Sequence, residues 1–251
     1  MRSKKAMYNI ISSLMLQFVA LISGFIVPKI IINSFGSDVN GLVSSITQFL
    51  AYISLLESGI GPVVKNSLYK PIAQKDKKSI ENILRTSEKF FRNIALIFIM
   101  YIVGLSIIYP LIVQKQFEFL YTLSLILIIS ISTFFEYYFG MTYKLYLQAE
   151  QKTYVTSIIQ LITYILNIVF ILVLVRFNVS IQIIKLFSGF TFALRPLIQN
   201  IYIKRKYKLD LKDADENYKL DKKWDGLAQH IAAVVHGNTD ITILTIFSKL
   251  T

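Results

Sequence analysis

The side chains of this sequence that could do chemistry are the polar ones set inside long apolar runs. Arg195, with Pro196 after it, lies nine residues before Lys204, roughly 13 Å along a helix. That is too deep for its charge to reach the run's end easily, and Pro196 removes a backbone hydrogen bond beside it. A guanidinium so placed needs a wet cavity or an anion. His236 and Asp240 stand four apart in a later run, on one helical face. They suit a proton or cation site, or a simple hydrogen-bonded pair. Glu57 and Glu136 lie a turn or two from the ends of their runs, where pairing with Lys65 or Lys144 is the plainer role. Lys29, Arg176 and Lys185 sit near the opposite ends, where their stems can carry the charge to the interface. Lys29 and Lys185 could instead meet an anionic substrate at that mouth.

Neutral polar residues recur at helical spacing in the same runs. Ser13, Gln17, Ala20, Gly24 and Pro28 mark the first, and Ser45, Gln48, Tyr52 and Gly59 the second. Ser124, Ser132 and Glu136 follow, then Gln160, Thr163 and Asn167, then Lys185, Ser188, Arg195 and Gln199. In lipid, helices join through packing and hydrogen bonds, so small and polar residues mark the inward faces. Ordinary helix packing accounts for the serines and glycines. Gln17, Gln48, Asn167 and Gln199 are candidate cavity residues beside Arg195 and Lys185.

Several chemistries are excluded. The sequence has no cysteine, so thiol catalysis and Cys-ligated metals are out. His230 and His236 are six apart and face different sides, and there is neither an HExxH pattern nor a P-loop. No enzyme, metal or cofactor is expected.

The elements that must position these residues are membrane spans. The 251 residues are 54% apolar, with a mean hydropathy of +0.55. Apolar runs cover residues 8–32, 39–64, 94–113, 119–143, 153–175 and 181–203, and a seventh starts near Leu227. Each can cross a hydrocarbon core of about 30 Å. The basic start Met1–Lys5 resembles a signal peptide, but the run after it is too long and lacks a small-residue cleavage site. It reads as an uncleaved first span.

Charge sets the orientation. Segments 1–7, 65–92, 144–152 and 204–225 hold three, eight, two and eight cations, 21 of the 27 in the chain. Cation-rich short loops stay in the cytoplasm, so the amino terminus is expected inside. The net charge of +12 then reflects topology rather than nucleic-acid binding. Segment 65–92 reads as a basic cytoplasmic loop, within which Lys78–Arg92 has the period of a helix lying at the interface. The expected architecture is all-α: a six-helix lobe over 1–203, a charged cytoplasmic loop over 204–226, and a seventh span over 227–251. A seventh helix with nothing after it looks like the start of a second bundle, so the sequence is expected to be a truncated form.

Several stretches resemble the amino-terminal half of bacterial oligosaccharide flippases of the Wzx type, in the superfamily of the multidrug and toxic-compound extruders. They are Phe25–Gly36, Asn40–Val43, Leu56–Gly61, Tyr69–Lys78, Arg195–Asn200 and Asn238–Ile243. The resemblance implies twelve to fourteen spans in two lobes, of which this sequence supplies the first lobe and the first helix of the second. It also implies a substrate, a polyprenyl-pyrophosphate-linked oligosaccharide moved from the inner to the outer leaflet of the bacterial plasma membrane by alternating access. Arg195 and Lys185 would then meet the pyrophosphate. Asp240 is the first choice for ion coupling, with His236 beside it, and Glu57 is the second. Other polysaccharide-assembly membrane proteins would be partners. Competing readings are a multidrug extruder, whose cavity should be dominated by acids, a membrane-embedded glycan polymerase or ligase, which needs a large outer loop, and a non-transporting scaffold.

Overall fold

The computed structural model describes residues 2–57, 60–209 and 211. Its elements are helices. α1 spans Arg2–Phe35 and turns at Gly36, whose φ of 91° only glycine adopts without strain. α2 is Ser37–Ala51, α3 Ser54–Glu57 and α4 Ile60–Gln74. α5, Lys77–Val113, is the longest helix described. α6 is Phe119–Phe135, followed by a π-helical turn at Glu136–Gly140 and by α7, Met141–Ala149. α8 is Thr153–Arg176 and α9 is Ile181–Tyr207.

Five helical stretches are long and apolar enough to cross a bilayer: Lys4–Phe35, Lys77–Val113, Phe119–Ala149, Thr153–Arg176 and Ile181–Tyr207. Their outward faces carry large exposed apolar side chains, among them Phe18, Leu21 and Phe25 on α1, Met100 and Ile112 on α5, and Phe190 on α9. A water-soluble surface would not leave so much apolar area uncovered. The chain is an all-α, multi-pass membrane protein. The seventh run and the charged segment from residue 212 on lie outside the described residues.

The second span departs from expectation. Residues 39–64 form no single helix, because the backbone tightens after α2. Tyr52 N–H donates to the Phe49 carbonyl at 3.2 Å and Ile53 N–H to the Leu50 carbonyl at 3.4 Å. These are bonds three residues back, of the kind that end an α-helix. Ser54 Oγ donates to the Ala51 carbonyl at 2.7 Å. Pro62 falls in the first turn of α4, where its missing N–H costs nothing.

The segment 65–92, expected as a loop, is instead the end of α4 and the start of α5, joined at Lys75 and Asp76. Lys75 turns the corner with φ 56°. Asp76 caps α5, accepting from Ser79 N–H at 3.1 Å and Ser79 Oγ–H at 2.6 Å. Those bonds hold its carboxyl below the ordinary aspartate pKa. Residues 78–92 do not lie flat at an interface. Ile80, Ile83, Leu84, Ser87, Glu88 and Phe91 are buried, and α5 packs on α4 and α7. At 1.5 Å per residue the 37 residues of α5 reach roughly 55 Å. The helix therefore crosses a core of about 30 Å and stands clear of it at one end.

α1 packs on α2 and α8, α6 on α5 and α9, and α8 on α9, while the π-helical turn is held between α5 and α9. Polar contacts gather the described cation-rich stretches, the start of α1, the α4–α5 hairpin, residues 144–152 and the end of α9, at one end. Asn9 Nδ2–H donates to the Gln151 carbonyl at 3.1 Å, and Asn9 Oδ1 accepts from Tyr154 N–H at 2.8 Å. Lys152 Nζ donates to Glu150 at 2.8 Å and to the Tyr207 hydroxyl at 2.5 Å. Burial alone would lower the Lys152 ammonium, yet these two bonds more than offset it and leave its pKa above the ordinary lysine value. The buried Glu88 accepts from the Tyr143 hydroxyl at 2.7 Å, and Lys204 Nζ stands 5.6 Å from the centre of the Tyr143 ring. Both start of α1 and end of α9 are thus tied to the α7–α8 corner, with the α4–α5 hairpin beside them.

Candidate polar cavity between the π-helical turn and α9

A cavity of about 350 Å³ opens among these apolar helices. Its polar wall comes from Glu57 of α3, Glu136 and Tyr137 of the π-helical turn, Lys144 of α7, Gln160 of α8 and Arg195 of α9. Two carboxylates and two cations face one space.

Arg195 is held on three sides. Its Nε–H donates to Thr163 Oγ1 at 2.6 Å. The guanidinium carbon lies 4.5 Å from the centre of the Tyr164 ring and 4.1 Å from that of Phe192. An arginine at membrane depth costs about 2.5–3.5 kcal/mol on insertion scales. Two desolvated cation–π contacts of roughly 1–2 kcal/mol each offset much of that. Arg195 Nη2 is buried and has no acceptor among the described residues. The side chain is therefore oriented, with one terminal nitrogen left without an acceptor.

The carboxylates are each engaged once. Tyr137 hydroxyl donates to Glu57 Oε2 at 2.9 Å. Lys144 Nζ donates to Glu136 Oε1 at 3.2 Å, the pairing expected for that glutamate. The π-helical turn makes both contacts possible. A π-helical insertion widens the helix by one residue and re-aims the side chains around it, and such turns concentrate at functional sites. Here it also brings the backbone of Gly140 against α9. A Cβ at 140 would overlap the Pro196 Cβ and lie 3.1 Å from the Pro196 Cα and 3.3 Å from Glu136 Oε2. Pro196 in turn lacks the N–H that would bond the carbonyl four residues back. The two irregularities meet at the cavity wall.

The residues expected from sequence divide as follows. Arg195 and Glu57 are brought together, with Glu136 and Gln160 from the same polar stripes. Lys185 is on the same helix but ten residues away, roughly 15 Å by helical rise, and does not line this cavity. Gln17 is exposed on α1. Gln48, Asn167 and Gln199 lie outside the cavity wall, each with a buried amide oxygen that has no donor among the described residues. His236 and Asp240 fall outside the described residues. Tyr137, Tyr164 and Phe192 were not foreseen. Phe192 stands three residues before Arg195, a spacing that predicts contact on a helix, whereas the two tyrosines arrive through tertiary packing and the π-helical turn.

No protein-family model, curated protein or solved structure matches the chain.

Proposed function

We propose that this chain forms one lobe of a flippase that carries polyprenyl-pyrophosphate-linked oligosaccharide from the cytoplasmic to the outer leaflet by alternating access. The observation that carries this reading is Arg195, stacked, anchored and left with one unfilled Nη2 in a polar cavity of the helix bundle. A pyrophosphate oxygen is the kind of acceptor that position accommodates, since charge-assisted bonds to phosphate are strong and directional. Gln160, Tyr137 and the carboxylates offer hydrogen-bonding partners to sugar hydroxyls around it. Glu57, held through a single tyrosine, is the acid within the cavity suited to exchange a proton as the substrate moves. Asp240 with His236 is a second proposed coupling pair.

The proposal places the amino terminus in the cytoplasm of a bacterial plasma membrane, in line with the distribution of cations. It also expects the cavity to be completed by a second lobe. The test is the sidedness of lipid-linked oligosaccharide in cells that carry Arg195→Gln in the full-length protein. Accumulation on the inner leaflet is expected, at wild-type protein levels. Unchanged export would overturn the role of Arg195. Unchanged export together with lost resistance to organic cations would favour the multidrug reading.

A further inference from the structure

A second cavity, of about 240 Å³, lies outside the first, on the hairpin end of α5. It is lined by Arg85, Thr86, Glu88, Lys89, Arg92 and Asn93. We propose that it binds the headgroup phosphate of an anionic phospholipid, with the acyl chains lying along the same face of α5.

The charge is complementary to an anion. Three cations face the space against one carboxylate, and that carboxylate is already occupied. Glu88 accepts from the Tyr143 hydroxyl at 2.7 Å and lies 3.6 Å from Arg92 Nη2. Lys89 is exposed and makes no ion pair among the described residues. Arg92 is fixed over the Tyr138 ring at 5.1 Å, and its buried Nε has no acceptor among the described residues. A phosphate oxygen would satisfy it. Thr86 and Asn93 add neutral polar groups at the rim.

The same helical face then changes character at the depth a lipid requires. Lys89 and Asn93 are followed at helical spacing by Leu96, Met100, Val103 and Ile107, which are 55%, 67%, 56% and 56% exposed. Gly104 notches this stripe, with nothing within 4 Å of where a side chain would begin. Lys89 and Leu96 are separated by roughly 10 Å of helix, enough to span a headgroup region of roughly 5–8 Å above the hydrocarbon. A cationic cup continuous with a bare apolar stripe has the layout of an amphiphile. A soluble anion would have no use for the stripe, and an acidic protein would meet the bilayer there. The proposal does not depend on what the first cavity carries.

The test uses the full chain purified in a neutral detergent, with binding of dioleoyl phosphatidylglycerol and dioleoyl phosphatidylcholine followed by native mass spectrometry. Wild type should prefer phosphatidylglycerol. The double change Lys89→Gln and Arg92→Gln should reduce that preference on the order of ten-fold, since each basic residue near an anionic surface contributes appreciably. Lys89→Arg, which keeps the charge and leaves Arg92 in place, should retain it. A control that removes equal charge elsewhere on the hairpin, Lys70→Gln with Lys78→Gln, should change it much less, because neither lysine lines the cup. Equal binding of both lipids, or an equal loss in the control, would overturn the site. Displacement of phosphatidylglycerol by equimolar inorganic phosphate would overturn the role of the acyl stripe. Should the double change lower helicity, Lys89→Gln alone, on an exposed side chain, decides the matter: unchanged lipid preference rejects the proposal.

Discussion

Arg195 shows how a half-buried guanidinium is held at the wall of a cavity within a membrane bundle. Its Nε–H is bonded to Thr163, its faces lie against Tyr164 and Phe192, and one terminal nitrogen is left over. Lysine cannot reproduce this, because its ammonium lacks the planar faces and the fixed fork of donors. Under the proposed flippase reading, Arg195→Lys should fail to sustain oligosaccharide export, with a loss of at least about ten-fold as one charged hydrogen bond to substrate disappears. Wild-type export by the lysine variant would show that charge alone suffices. Tyr137 offers a second test at this scale. Its hydroxyl is the partner of Glu57, and Tyr137→Phe leaves a half-buried carboxylate without its donor, at about 1–3 kcal/mol. Thermal unfolding in detergent should register that loss, and Glu57→Gln should reduce it, because a neutral amide is cheaper to leave unpaired. The depth of Arg195 and its proline neighbour were legible in the sequence, because both follow from spacing along one helix. The aromatic clamp was legible only in part. Phe192 shares a helix with Arg195, whereas Tyr164 and Tyr137 reach the cavity through packing that no local pattern encodes.

At the level of elements, the irregularities decide the architecture. The apolar runs 8–32, 153–175 and 181–203 each fall inside one helix, α1, α8 and α9, because an uninterrupted run has one way to satisfy its backbone in lipid. Apolar periodicity misplaced the second span. The break after Ala51 depends on two tightened turns, and its cause is not written in composition. The hairpin of α4 and α5 was hidden for a different reason. Dense cations suggest a loop, although Ile60, Val64 and Leu68 on α4 and Ile80, Leu84 and Phe91 on α5 carry a buried period through it. The cap at Asp76 carries a pH dependence of known sign. Its folded pKa is depressed, so its contribution is present above the ordinary aspartate value of about 4 and is lost as pH falls through the folded value. Amide exchange at Ser79 and the first turn of α5 should accelerate on acidification below that range, and Asp76→Ala should be fast at every pH. A flat profile in wild type would remove the cap from the account. Gly140 tests the meeting of the π-helical turn with α9. Gly140→Ala forces its methyl against Pro196 and should cost about 1–3 kcal/mol. Combining it with Pro196→Gly, which removes one of the atoms it meets, should give a coupling of about 1 kcal/mol. Strict additivity would mean that the two elements do not press on each other.

For the whole molecule, the decisive property is which way the bundle faces. Contacts between Asn9 and the α7–α8 corner, between Lys152 and Tyr207, and between Glu88 and Tyr143 place the starts of α1, α5 and α8, the end of α9 and the whole of the short α7 at one pole. Those contacts join segments that are distant in sequence but share an excess of lysine and arginine, so the charge count and the packing describe the same end. Neither one says which compartment that end meets. The positive-inside rule supplies the direction, and the sequence makes it easy to test, because it contains no cysteine to confuse the result. Lys4→Cys and Lys78→Cys, at exposed positions of the cation-rich pole, should resist a membrane-impermeant maleimide in intact cells and react after permeabilisation. Lys115→Cys and Ser180→Cys, exposed in the turns after α5 and α8, should react in intact cells. The opposite pattern at all four positions would invert the bundle. It would place the lipid cup of α5 in the outer leaflet and remove the cytoplasmic loading step on which the flippase reading depends. A mixed pattern would contradict the shared pole itself, since α1, which carries Lys4, packs on α8, and α5, which carries Lys78, packs on α7.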